Sequence, residues 1–571
     1  MTSNKTLTSI SIIFFLATSL ISFSQQFASN LPQSTFFHLS INGENLQEKM
    51  SLEMLENLDF YQEISKKMQR EGLTGKIDEI GVNINSEITI FSALEGEFVY
   101  FGMAVPLNDK SKIQELLNLN KTEESPVNGI TFKTSYSEFT GISAEYLVWI
   151  EANYTGPYPE WGADEETYAE FDRLSALTGT KAQEFGISLF SEKSLSLNNS
   201  KNFKKSFDSK ADANLFFSLN REITEKYLMA GGMTGMILGG QNSFTETLDV
   251  FNGHQYWTSQ LFFNEKDITI NTAFFPNNSN LKTQKNISKS KPNKNFLKYI
   301  PADNLMGVYS LNINSEAVLN EIPGYLAPLL DSFMPLTNGG KKSTSFISTI
   351  LDEEAIARLI TGDLIISVSN WSAKPTTKVS YEYDEDFNYS ETVTEGSEDL
   401  PDLLFMIGSE DTESLKDVLE FMALETPLSW NEDHFFLPQD RDIPMDMFIF
   451  TTVEGLFITN NKVQMNQIKS GKMNEKVSKF LAKSILSNSQ NAFIDFKEIV
   501  NVIKSIDGLS SKDLQAFNML SNNLGSMTSI QPKTKGKSST TKTVLSFPEG
   551  NSENSLVYVF NLINEIYKIE K

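Results

Sequence analysis

The hydrophobic pattern changes period repeatedly along this chain, and it does so at a polar residue each time. In Phe36 to Met50, FFHLSINGENLQEKM, apolar residues alternate, an Asn-x-Glu follows, and apolar residues then recur every third or fourth place. Val308 to Ile322, VYSLNINSEAVLNEI, repeats that pattern without a gap. Alternation predicts a strand and the longer period a helix. Asn42 or Asn314 is placed to cap the helix, and Glu44 or Glu316 lies in its first turn, where the dipole favours a carboxylate.

The echo continues in order. Tyr100 to Leu117 and Leu403 to Phe421 each read as strand, polar cap and amphipathic helix. Ile187 to Phe203 and Phe448 to Met465 read as hairpins entering a helix through Asn-Asn, and Asn214 to Ile223 matches Asn491 to Val500. Tyr256 to Phe275 and Thr540 to Phe560 read as closing hairpins. Between the two series, Pro276 to Asn295 is rich in Asn, Ser and Lys and reads as a linker. The expected organisation is a signal peptide over 1–24, a first half over 35–275, a polar linker over 276–299 and a second half over 300–571. Hairpins alternating with isolated helices predict an α+β class: two homologous halves of antiparallel sheet, formed by internal duplication, with helices packed on one face.

The IPADN…VYSLNIN opening at Ile300 and the hairpin FIFTTVEGLFITNN at Phe448 resemble a domain-of-unknown-function family of large exported Gram-negative bacterial proteins. The resemblance implies a fold and an exported location, and no activity. The first half departs from it, with NLPQSTFF where the family phrase would stand.

Lys5, the apolar run Ile10 to Phe23 and small residues at Ser22 and Ser24 form the layout of a secretory signal, with cleavage expected after Ser24. The run is too short and interrupted for a membrane span, so no transmembrane segment is expected after its removal. The chain has no cysteine in 571 residues, which excludes disulfides, thiolate metal sites and a lipid-anchored cysteine. A periplasmic or extracellular location is expected. Loss of Lys5 takes the formal charge of −25 to about −26, a balance that disfavours nucleic acid and anionic lipid as partners.

Recognised catalytic patterns are missing. His38, His254 and His434 each stand beside aromatics and far from one another. Gln531 to Ser538, QPKTKGKS, ends like a phosphate loop but has Gln where its first Gly belongs. Leu228 to Gly240, LMAGGMTGMILGG, lacks phosphate-loop spacing and reads as a flexible element packed on the sheet. Two acidic stretches differ between the halves. Tyr381 to Asp402 holds nine carboxylates, and Asp384, Asp386, Asn388, Ser390, Thr392 and Glu395 occupy the ligand places of a calcium loop. Asp384, Asp386, Asn388 and Glu395 are therefore the candidate metal ligands, with calcium as the candidate ion. Tyr389 stands where the sharp turn needs Gly, so a solvated acidic hairpin tip explains the same letters.

Glu151 to Leu174 mixes seven carboxylates with Tyr154, Tyr158, Trp161, Tyr168 and Phe171. Such a stretch suits recognition of sugars or cations, whereas Glu160 and Asp164 would be a hydrolytic pair only if they opposed each other across a bond. The sequence thus reads as a non-enzymatic envelope or secreted protein that binds an envelope protein or polysaccharide through acidic, aromatic loops. The alternative is a carboxylate-based hydrolase acting on envelope or extracellular polysaccharide.

Overall fold

Strand gives way to helix at the Asn caps. In the computed structural model the Asn42 side-chain oxygen accepts from the Asn45 N–H at 3.4 Å, and that of Asn314 from the Ala317 N–H at 3.3 Å. Residues 27–571 are described, except 71–75, 77–78, 118, 120–125, 157–158, 160–163, 224–225, 227–254, 289–291, 321–352, 384–388, 425, 440–444, 505–508 and 549–552. Of 221, 279, 353, 377–383 and 389–395 only the backbone is described.

The chain divides into two units, Met1–Asn277 with Asn551–Lys571, and Asn278–Gly550. The first contains β1 (Thr35–Ile41), β2 (Ile88–Glu95), β3 (Phe98–Pro106), β4 (Thr131–Ser135), β5 (Glu138–Ile142), β6 (Tyr146–Tyr154), β7 (Ala213–Leu219), β8 (Gln255–Phe263) and β9 (Asp267–Phe275). Antiparallel pairing orders them β4-β5-β6-β3-β2-β1-β7-β8-β9. The second contains β10 (Leu305–Asn312), β11 (Asp363–Tyr383), β12 (Tyr389–Gly408), β13 (Ser429–Asn431), β14 (His434–Leu437), β15 (Met447–Thr452), β16 (Gly455–Thr459), β17 (Asn488–Asp495), β18 (Ser526–Pro532) and β19 (Ser539–Ser546). Their order is β13-β14-β15-β16-β12-β11-β10-β17-β18-β19. Apart from the short edge strand β13, the second order is the first with each strand replaced by its counterpart.

Helices lie on both sides of these strands, which corrects the expected α+β arrangement of two sheet halves with helices on one face. The nineteen described strands form extensive antiparallel sheet with a core on each surface. In the first unit Ile88, Ile90, Met103 and Val105 pack with Leu46, Leu55, Met68 and Ile113. Phe91, Ala93, Val148 and Ile150, from the other surface, pack with Ala182, Phe185, Leu189 and Phe203. In the second unit Ile365, Leu404, Met406 and Phe457 pack with Phe296, Met465, Ile468 and Ile485. Leu415 and Leu419 of the helix Thr412–Met422 cover Leu456 and Ile458 on the reverse side. The physical cause is legible in β2, which is buried at seven consecutive positions. A strand apolar at both parities needs cover on both faces.

Three local expectations also change. Ile187 to Phe203 is the end of the helix Thr178–Ser188 followed by a 3-10 turn, Leu197–Asn199, and a short helix from Lys201, not a hairpin. The place of β15–β16 in the first unit is taken by β5–β6. Thr540 to Phe560 holds β19 and then the helix Ser555–Glu570, whose Leu556 and Val557 are buried in the first unit's core. The polar stretch 276–299 carries a helix, Asn278–Ile287, and a 3-10 turn, Lys294–Tyr299, that buries Phe296. Among the described residues no helix is long and apolar enough to cross a membrane. The proposed signal, 1–24, lies outside them.

Candidate functional site

The aromatic, acidic stretch after β5 forms a groove. β6 pairs with β3, so Tyr154 comes opposite Phe98, and their ring centroids lie 5.5 Å apart. The helix Glu165–Ser175 follows, and it starts where the Asp164 carboxylate accepts from the Thr167 N–H at 2.8 Å and the Thr167 hydroxyl at 2.7 Å. This start brings Phe171 edge-on to Tyr154 at 5.5 Å. The Arg173 guanidinium donates two bonds of 2.7 Å to Glu170. Tyr154, Pro159, Asp164, Thr167, Phe171 and Arg173 line a groove of about 560 Å³.

The electrostatics of the groove suit holding more than proton transfer. Hydrogen bonds from the Thr167 side chain and backbone keep the Asp164 carboxyl below its ordinary range, and the bond from Arg173 does the same for Glu170. Both are anions near neutrality, and neither holds a proton there for a leaving group. Burial, then the nearby Glu97 and Glu170, push the Tyr154 phenol up, so it stays protonated and able to donate. Glu160, Trp161 and Tyr158 lie outside the described residues, so the structure brings Asp164 to a helix cap and does not place Glu160 against it.

Of the candidate calcium ligands, Asp384, Asp386 and Asn388 lie outside the described residues; Glu395 is on β12, with only its backbone described. Among the described residues no three metal-ligating side chains come together. One carboxylate of that acidic stretch is structural: Asp402 is 4 % exposed and accepts from Lys374 Nζ at 2.6 Å, Asn461 Nδ2 at 2.8 Å and Asn370 Nδ2 at 3.1 Å. Asn370 is left-handed, φ 46°, at the irregularity where β11 shifts register against β12. The sequence offered no signal for this set beyond a lysine and an aspartate on adjacent strands.

The two described histidines stand against aromatic rings. His38 is fully buried, edge-on to Phe203 at 4.9 Å, and desolvation lowers it to about 3. His434 meets Asp433 at 3.1 Å beside Phe448, and His254 lies outside the described residues. QPKTKGKS is the end of β18 and the turn into β19, and the turn contains Gly536 at φ 72°. The glycine-rich 228–240 run is outside the described residues.

Sequence reasoning missed Asp363, the first residue of β11. It is buried, accepts from the Thr361 hydroxyl at 3.2 Å, and desolvation raises it to about 6. Its only cue was an acid at a strand start. No protein-family model, curated protein or solved structure matches this chain.

Proposed function

We propose that this is an exported, non-enzymatic protein of the cell envelope or exterior that captures a partner through its acidic and aromatic surface. The observation that carries the reading is the Tyr154–Phe171 groove, where half-buried aromatic rings stand beside carboxylates already committed to a helix cap and an ion pair. Aromatic rings beside fixed polar groups recognise a ligand, whereas catalysis needs a free acid and base at a set separation. The shared strand order of the two units supports an internal duplication, after which the loops diverged.

Photo-cross-linking in the native envelope, from a probe at the exposed Glu166 on the groove rim, tests the proposal. The expected result is one captured envelope protein or polysaccharide, lost in Phe171→Ala and retained in Lys204→Gln, which is exposed on another helix. Cleavage of an envelope polysaccharide that disappears on changing a single groove carboxylate would overturn it.

A further inference from the structure

On the sheet surface opposite the groove, two carboxylates face each other across adjacent strands. Glu138 of β5 is directly opposite Glu151 of β6, and Glu151 is in turn opposite Phe101 of β3. Residues directly opposite on adjacent strands have Cβ atoms roughly 5 Å apart, and like charges there are destabilising. Among the described residues neither carboxylate has an ion pair or hydrogen bond; Lys133 of β4 shares the surface, opposite Thr140, and is exposed. Desolvation, and then the charge of Glu151, raise the Glu138 carboxyl above its ordinary range.

The same surface carries an aromatic corner. Trp149 lies two residues before Glu151 on β6, and its ring meets Phe101 edge-to-face at 5.9 Å and 77°. Phe101 is 39 % exposed although it sits mid-strand. Farther along, Met103, Leu147 and Ile142 on this surface are covered by core helices. Toward this end the cover is incomplete: Phe101 is exposed, and Trp149, Glu138 and Glu151 are half-buried.

We propose that this incompletely covered end of the sheet is a docking surface for an arginine side chain presented by a basic segment of a polypeptide partner. A guanidinium is planar, stacks on an aromatic face and donates in a fork that two neighbouring carboxylates can share. Its charge would relieve the Glu138–Glu151 repulsion, which gives the unliganded surface a reason to be strained and the liganded one a reason to form. The net charge of −25 steers basic segments toward the chain in general; the aromatic corner and paired acids select the site. This inference does not depend on the groove, which is on the other surface of β6.

The test uses the full chain and a capped tetra-arginine peptide, followed by calorimetry at about 150 mM salt to screen non-specific attraction. Glu138→Gln, Glu151→Gln and Phe101→Ala are each expected to weaken binding by about tenfold, the loss of one contact of about 1.4 kcal/mol. Glu420→Gln, exposed on the helix Thr412–Met422, is expected to leave it unchanged. Melting temperature distinguishes misfolding from loss of contact: the two Gln variants should melt at or above wild type, because removing either charge removes the repulsion. A tetra-lysine peptide is expected to bind more weakly than tetra-arginine. Equal binding by the Gln variants, an equal loss in Glu420→Gln, tighter binding of tetra-lysine, or no binding by wild type would each overturn the proposal.

Discussion

Replacing Asp363 by Asn should stabilise the second unit at neutral pH and do nothing in acid. The side chain is 6 % exposed; one carboxyl oxygen accepts from Thr361, and the other has no hydrogen-bond partner among the described residues. Burial raises the group from 3.8 to about 6, against the opposing effect of the Thr361 and Asn293 hydrogen bonds and of Lys533. The folded state therefore holds this proton over a pH range in which the unfolded chain has released it. Linkage then makes stability fall as pH rises between those two values, with the full contribution present below 3.8.

At about 1.4 kcal/mol per tenfold change, the loss above pH 6 is about 3 kcal/mol. An amide reproduces the shape and acceptor of the protonated acid, so Asp363→Asn should recover about that amount at pH 7.5. For a unit of this size it corresponds to a rise of roughly 6–12 °C in Tm. Calorimetric melts at pH 4 to 8 measure it, with amide exchange in β10 and β11 assigning the transition to the second unit. A Tm difference between variant and wild type that does not grow across pH 4 to 6 would refute the account, as would destabilisation at pH 7.5.

The remaining predictions concern other buried groups and one turn. His38 is held at about 3 against an ordinary 6.5, so its contribution is present above 6.5 and is lost as pH falls toward 3. His38→Leu should remove up to about 5 kcal/mol of acid sensitivity from the first unit, read by acid titration of circular dichroism. Asp402→Ala leaves Lys374, whose side chain is 11 % exposed, without its counter-ion, and should cost about 3–5 kcal/mol in denaturant melts. An Asp402→Ala chain as stable as wild type would show that the pair contributes nothing. Gly455 has φ 145°, and a Cβ there would stand 2.1 Å from the Ile407 carbonyl oxygen. Gly455→Ala should therefore destabilise the β12–β15–β16 region by more than about 2 kcal/mol, with earlier amide exchange in those strands.

The elements legible in the sequence were those whose signal is local. The alternation in Phe36 to Ile41 and Val308 to Asn312, the Asn caps and the apolar spacing after them are decided by backbone hydrogen bonding within a few residues. Of the repeated segments, Phe36 to Met50 and Val308 to Ile322 hold corresponding strands, β1 and β10, whereas Ile187 to Phe203 is helical where Phe448 to Met465 opens with a hairpin. The acid and aromatic content of Glu151 to Leu174 likewise marked where a groove forms. It did not show that Asp164 would be consumed as a cap, although an acid followed by two more acids and a helical pattern was the available signal.

What only the tertiary structure decided rests on partners far apart in the chain. Ile88 to Leu94 carries apolar residues at both parities, with Thr89 and Ser92 polar, and periodicity does not say which helices cover each side; the helices around Leu46 and Phe185 do. Leu556 and Val557 could continue a strand or start a helix until they find the first unit's core. The burial of Asp402 with Lys374, and of Asp363 without a full set of partners, follows from register between strands. The facing of Glu138 and Glu151 has the same origin. Charge and propensity are properties of single residues, whereas desolvation and pairing are properties of the neighbours that folding brings to them.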